Sequence, residues 1–119
     1  MIRFLAIAVL LVVASCTRSI DRVPKPKNLI PKDKMVTVVK EMMKLEAHIQ
    51  ANYGQVSMYH KIMSRSGDSL LNTFQLDKET FEASMDYYGS RQDEMQTIYA
   101  ESLQQMNEEL GQLETDKSK

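Results

Sequence analysis

The chain has 119 residues, with fifteen Lys and Arg against sixteen Asp and Glu, and no Trp. That length fits one small domain, and a 7% aromatic fraction argues against ring-lined carbohydrate clefts. A single cysteine excludes a disulfide framework within a monomer. Charge is balanced overall but uneven along the chain: residues 17–65 hold ten Lys or Arg against four Asp or Glu, and residues 66–119 hold four against twelve.

The N-terminus opens with Met1-Ile2-Arg3 and an unbroken apolar run from Phe4 to Ala14. A short basic segment, an apolar run and small residues form the pattern of a secretory signal peptide. The run falls short of the ~20 residues that span a bilayer. It ends at Val13-Ala14-Ser15-Cys16, which resembles a bacterial lipobox. The resemblance implies cleavage between Ser15 and Cys16 and acylation of Cys16, leaving residues 1–15 as a removed signal peptide. Several acyl chains on one residue anchor stably where one chain is marginal.

Residues 16–31 read as an extended basic tether. All three prolines lie here, and Pro24-Lys25-Pro26-Lys27 favours a polyproline-like path that no helix can share. Arg18, Arg22, Lys25, Lys27, Lys32 and Lys34 keep such a spacer solvated, or draw it towards anionic headgroups. Nucleic acid is not expected as a partner, because no aromatic residues interleave with the basic ones.

From residue 32 the pattern is helical, and the predicted fold is all-α, a small bundle of three to four helices over 32–114. Met35, Val38 or Val39, Met42, Leu45 and Ile49 recur at three- and four-residue steps in a first helix over about 32–53. Pro31 suits its first turn and Gly54 a left-handed stop. A second segment begins near Val56 and either breaks at Gly67 or crosses it; helix is expected over 68–74. Asp77 is the expected N-cap of a third helix over 78–88 with Phe81, Met85 and Tyr88 on one face. Gly89 and Ser90 read as stop and restart. The last helix, 91–114, carries Met95, Tyr99, Leu103, Met106, Leu110 and Leu113 as one apolar stripe. Residues 115–119 have no apolar anchor and are expected to fray.

With these elements placed, the chain resembles the Bacteroidota lipoproteins grouped as domain of unknown function 4296. The likeness rests on Pro26-Lys27-Asn28-Leu29-Ile30 leading into Met35-Val36, then Leu70-Leu71, Phe74-Gln75-Leu76-Asp77 and Phe81. Ser84, Tyr87-Tyr88 and Ile98-Tyr99 complete it. The resemblance implies an envelope lipoprotein and brings no activity, cofactor or catalytic residue with it. Thr17-Arg18-Ser19-Ile20-Asp21 lacks the acidic cluster that follows the acylated Cys in surface-exported lipoproteins of that phylum. The expected location is therefore the outer membrane, with the domain facing the periplasm.

No catalytic, cofactor or metal residues are expected. His48 and His60 lack metal-ligand spacing, the serines have no nucleophile-elbow context, and no Gly-rich loop cradles a phosphate. Glu79, Glu82, Asp86, Glu101, Glu108 and Glu109 lie off the apolar stripes and read as a solvated acidic face. Tyr87 turns ~100° from Tyr88 on an ideal helix and is expected at the surface. The sequence thus predicts a non-enzymatic, lipid-anchored module that meets an envelope protein partner through Tyr87, Glu101, Glu108 and Glu109. A small-ligand or lipid-binding domain with a Met-lined cavity is the alternative, and pairing of copies through 95–113 a third possibility.

Overall fold

The computed structural model describes Met1 and residues 21–119. The expected signal peptide, its cleavage point after Ser15 and the acylated Cys16 lie outside the described residues. Among the described residues four helices follow an extended segment: α1 (Lys32–Asn52), α2 (Val56–Thr73), α3 (Lys78–Gly89) and α4 (Gln92–Lys117). Among the described residues there is no strand, and no helix is long and apolar enough to cross a membrane. The fold is all-α, as its helical periodicity predicts.

Helix α1 occupies the middle. Met35, Val36, Val38, Val39, Lys40 and Ile49 are all buried, more of the circumference than one stripe covers, because α2 packs on one side and α4 on another. A helix buried on several faces has to be apolar on several faces, which accounts for the Val36-Thr37-Val38-Val39 run. The hairpin with α2 is antiparallel: the Tyr59 hydroxyl donates to Glu46 Oε1 at 3.0 Å. Along α4 the register rises together. Ser102 reaches Val36 and Glu109 reaches Lys40 and Lys44, so α1 and α4 run parallel. The main cluster gathers Ile30, Met35, Val36, Val39, Tyr88 and Ile98.

Several local expectations change. Helix α2 passes through Gly67, which is buried with its missing Cβ position 3.8 Å from Met42 Sδ, an ordinary contact distance, so the helix crosses it at the usual conformational penalty of Gly. Neither Gly54 nor Gly89 takes a left-handed conformation, and the positive φ belongs to Gln75 at 58°. There the Leu76 amide donates to the Leu71 carbonyl and the Gln75 amide to the Asn72 carbonyl, both at 3.0 Å. This is a Schellman closure made with a glutamine.

Asp77 caps α3 as expected, accepting from the Thr80 amide at 2.7 Å. That contact, with the Thr80 hydroxyl, holds its carboxyl below the usual range. Ser90 is not the cap of α4: Arg91 takes that position, and the Ser90 hydroxyl is engaged elsewhere. Pro31 sits at the N-cap of α1 rather than inside its first turn. Helix α4 continues to Lys117, so residues 115–117 are helical where fraying was expected.

Candidate functional site

The basic segment before α1 is not a free spacer over its whole length. From Val23 to Pro31 it forms a strap fastened to α3 and to the turn into α4. The Val23 amide donates to Ser90 Oγ at 3.0 Å, and Arg91 Nη1 donates to the Val23 carbonyl at 3.0 Å. At the other end the Ile30 amide donates to Ser84 Oγ at 3.1 Å, while the Tyr88 hydroxyl donates to the Ile30 carbonyl at 2.7 Å. Ile30 is 2% exposed and Ser84 fully buried, so these bonds form away from water, where an unmatched polar group is expensive. Burial pushes the Tyr88 hydroxyl above its usual pKa, with Glu94 adding to the shift.

Tyr87 belongs to this anchor and not to an outward surface. It is half-buried, packed against the core, edge-on to Tyr88 with ring centroids 5.2 Å apart. The Arg91 guanidinium lies 3.7 Å above its ring and Arg91 Nη1 donates to its carbonyl at 2.9 Å. The expectation that Tyr87 is solvent-facing is corrected by Arg91, a residue four positions on, which comes over the ring as it reaches for the strap.

Glu109 is drawn inward too. It accepts from Lys40 Nζ and from Lys44 Nζ at 2.8 Å, and Glu41 closes the cluster at 3.2 Å from Lys44 and 3.4 Å from Lys40. The two lysine hydrogen bonds hold the Glu109 carboxyl down to about 2. Both lysines are raised, chiefly by the same carboxylate. Two cations and two anions leave the cluster neutral. Glu101 and Glu108, by contrast, are exposed on α4. The four residues expected to form one partner surface are therefore divided: Tyr87 in the strap anchor, Glu109 in the α1–α4 ion cluster, Glu101 and Glu108 facing solvent.

The apolar stripe of α4 is the second departure. Ile98 and Ser102 are its buried residues, and Ser102 is small enough to let α1 approach, donating to both the Val36 carbonyl at 3.0 Å and the Ile98 carbonyl at 2.7 Å. That face takes the inside. The apolar stripe is split: Met95 packs against the core and Met106 is half-buried, while Tyr99 is 40% exposed, Leu103 47%, Leu110 56% and Leu113 58%. Sequence reasoning followed hydropathy; the signal it missed was a small residue one turn after Ile98, followed a heptad later by Glu109.

Two clefts bear on ligand binding. One of 360 Å³ lies between the strap and the α2–α3 turn, lined by Asn28, Leu29, Ile30, Pro31, Lys34, Gln75, Leu76, Asp77 and Thr80. Met42 and Met63 line another, of 160 Å³, beside Gly67 and Leu71, smaller than the roughly 300 Å³ at which small-molecule sites begin. Among the described residues no three His, Cys, Asp or Glu side chains are grouped to hold a metal ion. His48 faces Asn52 and His60 lies edge-on to Tyr59.

No curated protein and no solved structure matches the chain. A family model, the domain of unknown function DUF4296, matches residues 26–112, beginning within the strap and ending near the close of α4. The chain belongs to the DUF4296 family.

Proposed function

We propose that this protein is a non-enzymatic accessory module, anchored to the envelope through acylated Cys16, that binds a basic protein partner along the outward face of α4. The observation that carries the reading is the division of the acidic residues on α4. Glu109 is used up by Lys40 and Lys44, whereas Glu101 and Glu108, two turns apart on the same side of the helix, are exposed and free to meet a cationic surface. Charge displayed in this way raises association rates and selects partners more than it adds affinity.

The anchor rests on Val13-Ala14-Ser15-Cys16 and the basic residues that follow it. In this reading the anchor is an outer-membrane one and the domain faces the periplasm. The test is crosslinking of the tagged full chain in its native envelope, with co-purified proteins identified by mass spectrometry. Recovery of one stoichiometric protein that is lost in Glu101→Lys/Glu108→Lys supports the reading. Recovery unchanged by that double reversal removes this surface from it. Cys16→Ser should release the chain from the membrane fraction, and protease treatment of intact cells should leave the domain uncut.

A further inference from the structure

We infer that the strap is a two-part clasp, whose outer arm, residues 23–28, lifts from the domain and returns by itself while Leu29 and Ile30 stay docked. The two ends are fastened by different chemistry. At the inner end Ile30 is 2% exposed and belongs to the main cluster, and Leu29 packs against that cluster. Among the described residues the Ser84 and Tyr88 hydroxyls have no hydrogen-bond partner other than the Ile30 backbone. Freeing Ile30 therefore takes an apolar side chain out of the core and strips both hydroxyls of their partners. The two bonds at Ile30 share one fate.

The outer end is held by bonds that its partners can spare. Val23 is half-buried; its amide donates to Ser90 Oγ and its carbonyl accepts from Arg91 Nη1, both at 3.0 Å. When Val23 leaves, Ser90 still donates to the Tyr87 carbonyl at 2.8 Å. Arg91 Nη1 also serves the Tyr87 carbonyl at 2.9 Å and Ser90 Oγ at 3.1 Å, so three acceptors share the two hydrogens that one guanidinium nitrogen carries. Losing Val23 leaves one acceptor for each hydrogen, with the guanidinium still over the Tyr87 ring. Ser90 and Arg91 are only half-buried, so water can take the place of the departing backbone.

The chain between the two ends suits such a motion. Among the described residues, the bonds at Val23 and Ile30 are the ones that join residues 23–30 to the helices. Pro24 and Pro26 bring no N–H and fix φ, so the arm keeps much of its shape when free and loses little entropy on docking. A single clasp is then enough to hold it. Lys25, Lys27 and Asn28 are exposed, and a turn at Lys27-Asn28 lies just before the docked pair, where the arm can hinge. Lifting it adds six residues of free chain ahead of the domain, at most roughly 20 Å, and bares the corner formed by Tyr87, Ser90 and Arg91. A chain held by its N-terminal end thus has two reaches, whatever holds it.

The test is amide hydrogen exchange of the full chain, resolved to single residues by fragmentation in the mass spectrometer. The docked Val23 amide should exchange at least about fivefold slower than a free amide. It should still exchange at least about tenfold faster than the Ile30 amide, which waits for the core to open. Ser90→Ala should speed Val23 by about fivefold and leave Ile30 unchanged, and the unchanged Ile30 also shows that the variant is folded. A gap under about tenfold, or Ser90→Ala speeding both amides alike, overturns the two-part clasp, since the strap then opens in one piece. A Val23 amide with no protection overturns it too, because the arm is then never docked.

Discussion

The Ser84 hydroxyl receives the Ile30 amide at 3.1 Å, and around this one bond the N-terminal strap becomes part of the domain. Ser84 presents its oxygen to that amide from a fully buried position, and one turn later Tyr88 closes the other side by donating to the Ile30 carbonyl. Residue Ile30 thus has both backbone polar groups satisfied by side chains, in the manner of a strand whose neighbour is a helix. Part of the family likeness converges here: the strap from Pro26 to Ile30, Met35-Val36, Ser84, Tyr88 and Ile98. Their pattern is that of a docking site for the chain's own N-terminal segment.

Removing either partner should loosen the strap. Ser84→Ala leaves the buried Ile30 amide unmatched and should cost about 1–3 kcal/mol, while Tyr88→Phe should cost about 1 kcal/mol. Both act on the same segment, so the double substitution should cost less than the sum of the two, since once the strap lifts the second bond is already lost. Urea denaturation of a chain beginning at Asp21 measures all three. Additive losses would mean that the strap is not one cooperative unit.

Two positions, one inside α2 and one in the turn that closes it, should reward opposite exchanges. Gly67 has helical geometry, and a Cβ there would sit in ordinary contact with Met42 Sδ at 3.8 Å; Gly67→Ala should stabilise by about 0.5–1 kcal/mol. Gln75 holds a left-handed φ of 58° while exposed, so Gln75→Gly should relieve about 1 kcal/mol of backbone cost. A fall in melting temperature for either variant contradicts the corresponding geometry.

Local chemistry was legible in part, the Asp77 cap but not the Gln75 turn or the Arg91 cap, and long-range chemistry was not. Asp77 announces its cap because the amide it serves is three residues away. The three- and four-residue recurrence of apolar side chains places all four helices because each helix closes its own hydrogen bonds. Nothing nearby in sequence says that Ser84 waits for Ile30, or that Arg91 covers Tyr87 while holding Val23. The Pro-Lys spacing of the strap denotes extended chain correctly, yet it cannot distinguish chain extended through water from chain extended along a helix. The rotation of α4 failed for a related reason: hydropathy ranks Leu103 above Ser102, but the proximity of α1 favours the smaller side chain.

The Glu109 cluster gives a pH dependence with a definite sign. Its carboxyl is lowered to about 2 in the folded chain, below the roughly 4.3 of an unfolded glutamate. The unfolded chain therefore binds the proton first as pH falls. The stabilisation is complete above the unfolded value and drains away between about pH 4.5 and pH 2. Glu109→Gln should lower the melting temperature at neutral pH, by less at high salt because the carboxylate is partly exposed. The difference from the unsubstituted chain should shrink through that acid window and vanish near its lower end. A difference constant from pH 7 to pH 2 would place the effect in packing and not in charge.

The rotation of α4 makes the sharpest contrast between two neighbouring aliphatic residues. Ile98 is fully buried in the cluster with Met35, Val36 and Tyr88, so Ile98→Ala removes packed atoms from a site hemmed by three helices and the strap. It should cost about 2–5 kcal/mol, the range for large-to-small changes in a core. Leu103 lies five residues on and is 47% exposed; Leu103→Ala should change monomer stability by only about 0.5 kcal/mol. The measurement is chemical denaturation at protein concentrations low enough to keep the chain monomeric. Equal losses would put Leu103 back in the core and return α4 to the orientation its hydropathy alone suggests. A large loss at Ile98 beside a small one at Leu103 leaves the exposed leucines of α4 without a role inside the monomer.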